Sequence, residues 1–376
     1  MRVLIAGAGV AGLTLAARLA QQGRPPVVVE QATDSGAGYA IGLYPLGSCV
    51  LHGLGRYGEL LARGLVVNDY ELADHAGQVM KRVDMSVLTG QVGPMVMIER
   101  ASLLDILRGA CAGVEIRAGV GVRSLAQDRD GVDVTLGDGT AERADLVVGC
   151  DGIDSVVRAR AGGPEHRYDT GWVLWTWWAA NPPGPPVFRE WWGRGWFFGC
   201  YPAPGRMMCA CGGPAGQWGS PPAGRVSGSW PAQLRTLLRT YPPAATADGE
   251  PPAMYRWPMR DVRASRWFQG RVALCGDAAA AFLPSAAVGA SAAMRSAAAL
   301  ADELSRADAA TVPLALELYQ KRCQRIVERA QANSRQLARV MLVGRPALAW
   351  GRDQLARRYP AHLALSEIIH GSHQPF

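Results

Sequence analysis

The feature that most restricts what this chain can fold into lies at its start, where the apolar run Val3-Leu4-Ile5-Ala6 breaks into Gly7-Ala-Gly9-Val-Ala-Gly12. A short apolar run bounded by glycines predicts a buried parallel strand. The Ala- and Leu-rich stretch from Leu13 to Gln22, closed by Gly23, predicts a helix. Val27 to Glu30 then predicts a second strand and completes a βαβ unit. In such a unit Gly7 permits the tight turn, Gly9 lets the backbone approach a pyrophosphate, and Gly12 lets helix and strand pack closely. The helix N-terminus offers N–H groups and a partial positive charge to an anion, so Gly7, Gly9, Ala11 and Gly12 are candidate nucleotide contacts. Glu30, at the end of the second strand, is placed to accept a hydrogen bond from a ribose hydroxyl.

A chain of 376 residues exceeds one ordinary core, so two domains are expected. With 49% hydrophobic and 19% charged residues the composition fits a compact enzyme and excludes extended disorder. The net charge of +7 comes almost wholly from arginine, since lysine occurs only at Lys81 and Lys321. No run of consecutive basic residues forms a phosphate-tracking stripe, so an anionic cofactor is expected and nucleic acid is not. The opening segment is not read as a secretory signal, because glycines interrupt its apolar run and no small-residue cleavage site comes after it. No apolar stretch is long enough for an ordinary membrane span. The eight cysteines are scattered, and neither they nor the histidines have metal-like spacing. They are expected as reduced thiols in a cytoplasmic protein without a metal.

Further along, Ser35-Gly-Ala-Gly38-Tyr-Ala-Ile-Gly42 reads as a flexible loop along the cofactor, and Leu46 to Leu54 as a short helix. Leu65 to Leu72, a turn at Asp74-His-Ala-Gly77, and Val79 to Asp84 read as a hairpin. Ser102, with Asp105 three residues later, reads as the N-cap of a helix reaching Cys111. Asp145 to Cys150 is a buried strand that delivers Asp151-Gly152 to a helix reaching Arg158. From Tyr168 to Trp257 tryptophans and Pro/Gly turns recur, which predicts an antiparallel sheet. Alternation puts Trp172, Leu174, Thr176 and Trp178 on one face and Val173, Trp175 and Trp177 on the other, one face against a core and one available to line a cavity. Arg271 to Cys275 returns to strand, followed by Gly276-Asp277, a helix from about Val288 to Leu304, another opened by Pro313, and a third ending near Tyr359.

Gly7 to Gly12, Asp151-Gly152 with Arg158, and Gly276-Asp277 with Pro284 and Gly289 are three strand ends that turn into helices, where open α/β sheets bind ligands. Together they resemble the FAD-dependent aromatic hydroxylases, the single-component flavoprotein monooxygenases of the para-hydroxybenzoate hydroxylase type. The resemblance implies an α/β fold: a Rossmann-like FAD-binding domain, an antiparallel sheet domain for substrate, and C-terminal helices. The FAD-binding domain is expected in three parts, residues 1–70, 99–165 and 263–310; the substrate domain comprises a hairpin at 71–98 and the sheet at 166–262, with a helical region at 311–376.

By the same resemblance, the first motif holds the ADP part of FAD, Asp151 and Arg158 lie near the pyrophosphate and NAD(P)H, and Arg100 contacts the cofactor. Asp277 meets the ribityl and pyrophosphate region. Pro284 borders the isoalloxazine, and the amides around Gly289 and Ala290 stabilise charge on the reduced ring. Ala280 stands where many relatives have His, and Ala286-Ala287 where glycine is common, so added methyls restrict the loop's approach to the ring.

The implied activity uses NAD(P)H and O2 to hydroxylate or epoxidise an aromatic or bulky apolar molecule through a flavin C4a-hydroperoxide, without a nameable catalytic base. Tyr44, Tyr201, Trp175, Trp177 and Pro284 are the pocket candidates. Two alternatives remain. One is a flavin-dependent halogenase, since Trp175-Thr-Trp177-Trp178 partly resembles the Trp-x-Trp-x-Ile-Pro signature without its Ile-Pro. The other is a flavoprotein that binds a small apolar ligand without turnover.

Overall fold

The computed structural model describes residues 1–33, 38–89, 93–161, 163–219, 224–226, 232–240 and 253–358. Its first sheet has six strands in the order Phe268–Gln269, Val272–Leu274, Leu146–Gly149, Val3–Ala6, Val27–Glu30, Glu115–Ala118. All pair in parallel except the short edge strand Phe268–Gln269. Parallel strands are covered on both faces, and accordingly Val3, Leu4, Ile5, Leu146, Val147 and Val148 are all almost fully buried. Helices Val10–Gln21, Arg100–Gly109 and Gly289–Ser305 pack in this core, which also takes in Val132, Val134 and Leu136 from a separate three-stranded antiparallel sheet.

The second large sheet has nine strands among the described residues and is antiparallel, except where Val187–Trp192 runs parallel to Asp69–Asp74. Its middle consists of Glu165–Ala179, Arg206–Pro214 and Phe197–Ala203. One face packs Trp175, Trp177, Phe198, Cys209 and Cys211 against Trp218 and the helix Ala232–Thr240. Trp177 stacks on Phe198 with ring centroids 6.1 Å apart. The opposite face, bearing Leu174, Thr176, Tyr201, Met208 and Ala210, lines a cavity. Trp175 and Trp177 are therefore corrected from pocket to core: alternation sets two faces, each with two tryptophans, and theirs is the one that a helix covers. Burying a tryptophan there stabilises the sheet by roughly 3–5 kcal/mol, judged by what truncating such rings costs.

Three local expectations change. The loop expected over Ser35–Gly42 lies partly outside the described residues, and its described end is a strand, Ala40–Leu43, paired with Val96–Glu99. The strand expected over Leu65–Leu72 divides: Leu65–Val66 joins that small sheet, and Asp69–Asp74 joins the large one, with Val67 buried at the crossover. Ser102 is not a cap, because the Arg100 amide donates to the Tyr39 carbonyl at 2.9 Å and the helix starts at Arg100. The C-terminal helices are Val312–Met341 and Pro346–Arg358; Tyr359, where the last was expected to end, lies outside the described residues. No helix among the described residues is long and apolar enough to cross a membrane. All eight cysteines are free thiols.

Candidate active site

The carboxyl ends of Val3–Ala6, Leu146–Gly149 and Val272–Leu274 open onto one edge of the parallel sheet, and each runs into a turn built on glycine. Gly7 has φ +106°, and a Cβ there would lie 2.3 Å from the Cys150 carbonyl oxygen. A Cβ on Gly12 would lie 1.9 Å from the Gly7 carbonyl oxygen, so Gly12 serves the packing of turn on helix and does not line the cavity. Gly9 is different. Apart from its own chain neighbours, no described residue lies within 4 Å of where its Cβ would be, and it borders the cavity. The first helix has neither a side-chain cap nor an acid in its first turn, so its N-terminal amides remain available to an anion.

Glu30 accepts hydrogen bonds from the amides of Ala8 at 2.7 Å and Ala32 at 2.8 Å, which fixes its carboxylate beside the glycine turn and the cavity. Asp151 also borders the cavity, but it caps its own helix, accepting from Ser155 Oγ at 2.5 Å and the Val156 amide at 2.7 Å. Arg158 turns inward. Its guanidinium donates to Glu165 at 2.6 Å and to the carbonyls of Ala278 and Ile153 at 3.0 and 2.5 Å. It is buried and lines no part of the cavity, so the cofactor contact expected of it is corrected to a strut beneath the Gly-Asp turn.

Gly276 has φ +62°, and a Cβ there would stand 2.6 Å from the Ala11 Cβ, so the two nucleotide-side turns touch. The next residue, Asp277, is exposed to the open cavity. Partial loss of solvent against the cavity walls pushes its carboxyl up to about 6, while the Arg100 guanidinium pulls the other way. Arg100 itself lies over the Tyr39 ring, 5.8 Å from its centroid. Beyond Asp277 the chain forms a short turn, Pro284–Ala286, passes through Ala287 in the left-handed region at φ 52°, and starts the helix Gly289–Ser305 without a side-chain cap. Pro284, Gly289 and Ala290 line the cavity there.

The cavity, about 1580 Å³, continues from these turns onto the open face of the large sheet. Strand register arranges that face in rows. Trp192, Phe197, Gly212, Leu174 and Trp257 form one; Lys81, Leu72, Glu190, Gly199, Ala210 and Thr176 the next; Tyr70 with Phe188, and Tyr201 with Met208, a third. Within it the Glu190 carboxylate accepts from Tyr201 Oη at 2.7 Å, Tyr70 Oη at 2.9 Å and Trp192 Nε1 at 3.1 Å. Burial, then the Glu190 charge, pushes the Tyr44 phenol up to about 12, and the same two causes raise Tyr70 and Tyr201 well above the usual tyrosine range. Among the described residues no cluster of His, Cys, Asp or Glu could hold a metal ion.

The geometry thus combines three glycine-built turns, a helix N-terminus and a cavity-facing aspartate in one elongated cavity, and the matching family model is the FAD binding domain, over residues 1–334. The chain is 30% identical over 376 residues to the aurachin C monooxygenase/isomerase of Stigmatella aurantiaca, covering 95% of this chain and 94% of that protein. The chain is a member of the FAD-dependent aromatic hydroxylase family. It is a flavin monooxygenase with FAD as its cofactor. The 3-amino-4-hydroxybenzoate 2-monooxygenase of Streptomyces cremeus is 32% identical over 315 residues, 78% of this chain and 76% of that protein. The crystal structure of Klebsiella pneumoniae HpxO complexed with FAD and uric acid shares the fold, with a TM-score of 0.82 at 22% identity over 99% of this chain and 97% of that one.

Among the residues singled out from sequence, Gly7, Gly9, Ala11, Glu30, Arg100, Asp151, Asp277, Pro284, Gly289, Ala290, Tyr44 and Tyr201 meet around the cavity of this hydroxylase; Gly12, Arg158, Trp175 and Trp177 do not. Glu190, Tyr70 and Trp192 were missed. Alternation in Phe188-Arg189-Glu190-Trp191-Trp192 carried the signal, because it places a single acid between two aromatic rings on one face.

Proposed function

We propose that this flavin monooxygenase uses NAD(P)H and O2 to hydroxylate or epoxidise an aromatic or bulky apolar small molecule. One observation carries the reading: a single cavity joins the glycine turns and Asp277 to an aromatic, methionine-rich sheet face that includes Phe188, Met208, Met259 and Trp257. FAD, when bound, supplies the electron transfer and oxygen activation that side chains cannot.

The chain's own residues orient, exclude water and fix charge. Gly7, Gly9, Ala11 and the first-helix amides face the pyrophosphate, Glu30 takes the ribose, and Arg100 and Asp277 take the middle of the cofactor. Room at Gly9 and the uncapped helix support this fit. Pro284 and the amides of Gly289 and Ala290 take the ring, whose negative charge on reduction the helix start favours. The apolar sheet face keeps water from the reacting atoms and holds the substrate at one orientation. On this reading residues 1–70, 99–165 and 263–310 serve the cofactor, and 71–98 with 166–262 the substrate. The names of the monooxygenases that the chain resembles support an aromatic substrate and give the halogenase alternative no support.

Stopped-flow mixing of the flavin-loaded protein with NADH and with NADPH tests the proposal. Bleaching of the oxidised flavin band, followed by oxygen uptake and a product heavier by one oxygen atom, is expected. Failure of both nucleotides to bleach the flavin, with and without aromatic ligands, overturns it and leaves a ligand-binding flavoprotein without turnover.

A further inference from the structure

The substrate end of the cavity has a polarity that its apolar walls conceal. Tyr201 and Tyr70 each spend their only O–H hydrogen on Glu190, at 2.7 and 2.9 Å, and the Trp192 indole N–H goes to the same carboxylate at 3.1 Å. A carboxylate offers about four acceptor sites, and a phenol oxygen that has donated keeps lone pairs of its own. What Glu190, Tyr201 and Tyr70 together show the cavity is therefore lone pairs and negative charge, without a hydrogen to give. Gly199 makes this arrangement possible. A Cβ on Gly199 would lie 2.3 Å from the Tyr201 hydroxyl oxygen, so only glycine lets that ring lie across the strand toward Glu190.

Among the described residues, the cations that share the cavity are engaged by other partners. Arg100 stands on the nucleotide side over Tyr39. Lys81 follows Glu190 and Leu72 in the same row, two strands away and so about 10 Å off at ordinary strand spacing, and its ammonium donates to the Arg357 carbonyl at 3.3 Å. Arg352 lies over the Trp192 ring, 5.8 Å from its centroid, but its guanidinium is engaged by Asp353 and by the carbonyls of Gly193, Met341 and Trp192, and Arg339 lies over the Tyr168 ring.

We propose that Glu190, with Tyr201 and Tyr70, forms a donor-selecting subsite: the substrate is an aromatic bearing an N–H or O–H that it donates to this acceptor cluster, and aromatic carboxylates are disfavoured there. The proposal rests on the monooxygenase reading for the identity of the cavity, but its test needs no turnover. A hydrogen bond to a charged acceptor differs from its absence by about 10- to 100-fold in affinity. Substrates that cannot donate leave the cluster desolvated and unanswered.

The test uses the oxidised, FAD-loaded protein, without NAD(P)H, and equilibrium dialysis or flavin difference spectra with 1-naphthol, 1-naphthylamine, 1-methoxynaphthalene and 1-naphthoate as matched probes. Naphthol and naphthylamine are expected to bind at least about 10-fold more tightly than methoxynaphthalene, with naphthoate weakest. In Glu190→Gln, whose amide brings hydrogens of its own, the preference should shrink to within about 3-fold and naphthoate should gain. Tyr201→Phe and Tyr70→Phe withdraw O–H donors from the carboxylate and leave its charge, so they free acceptor sites and should widen the preference even if Glu190→Gln does not fold. Equal binding of the donor and methoxy probes, preference for naphthoate, failure of both donor probes to bind, an unchanged preference in folded Glu190→Gln, or an unchanged or narrowed preference in both phenylalanine variants overturns the proposal. Nucleotides that fail to bleach the flavin while the preference persists would count against the reaction alone.

Discussion

Tyr201 lies across its own strand so closely that a Cβ on Gly199 would stand 2.3 Å from its hydroxyl oxygen. The hydrogen bond from Tyr201 to Glu190 therefore depends on a missing side chain. Gly199→Ala should force the phenol off its rotamer and destabilise the protein by about 1–3 kcal/mol, the usual effect of overpacking. Urea denaturation measures this. An unchanged midpoint would mean the ring has another position at no cost.

Gly9 and Gly12 belong to one motif yet should respond oppositely. A methyl at Gly12 meets the Gly7 carbonyl oxygen at 1.9 Å, so Gly12→Ala should cost several kcal/mol, on the order of a severe overpacking defect, and yield little folded protein. A methyl at Gly9 meets nothing among the described residues within 4 Å beyond its own chain neighbours. Gly9→Ala should keep the melting temperature of the flavin-free protein and lose flavin affinity by at least about 10-fold, because the methyl occupies room meant for a pyrophosphate. Flavin content after purification and denaturation of the stripped protein separate the two effects.

That contrast also shows how far the sequence could be read. The first βαβ unit was legible because glycine spacing, a buried strand and an acid at its end all express one local geometry within residues 1–30. Arg158 was placed wrongly because its surroundings are tertiary: the Ala278 carbonyl it bonds lies 120 residues away. Which face of Trp172–Trp178 meets the cavity could not be read either. Alternation defines two faces, but only the partner decides which is covered, here Trp218 and the helix Ala232–Thr240. Glu190 stayed hidden for the same reason, since its donors Tyr70 and Tyr201 come from strands on either side.

The inward Arg158 gives a prediction of its own. Arg158→Ala should destabilise the protein by about 1–3 kcal/mol, since two carbonyls lose their donor. The flavin spectrum of the folded fraction should stay unchanged. A wild-type denaturation curve with weakened flavin binding would restore Arg158 to the cofactor site.

Ala287 occupies the left-handed region at φ 52°, where a Cβ costs roughly 1–2 kcal/mol that glycine does not incur. Ala287→Gly should raise stability by about 1 kcal/mol, because relief of strain exceeds the added freedom of the unfolded chain. A fall in melting temperature would show that the methyl's contacts outweigh its backbone strain; Gly42, whose Cβ would lie 3.8 Å away, marks how close the packing is.

Asp277 makes the flavin-free protein sensitive to pH in a direction opposite to most carboxylates. Its folded value of about 6 lies above the ordinary 3.8, through loss of solvent that Arg100 only partly offsets. The folded state thus holds this proton more tightly than the unfolded state does, so its contribution to stability is complete below 3.8 and is lost as pH rises through about 6. An amide at this position cannot ionise. Asp277→Asn, stripped of flavin, should therefore gain stability relative to the stripped wild type as pH rises through that window, and the difference should level off at higher pH. Paired denaturation curves at several pH values read the difference directly, with other carboxylates cancelling between the two proteins. A flat difference would mean that water in the emptied cavity, to which Asp277 is exposed, solvates the carboxylate fully, and one that shrinks with rising pH would place it in contact with more positive charge than Arg100 provides.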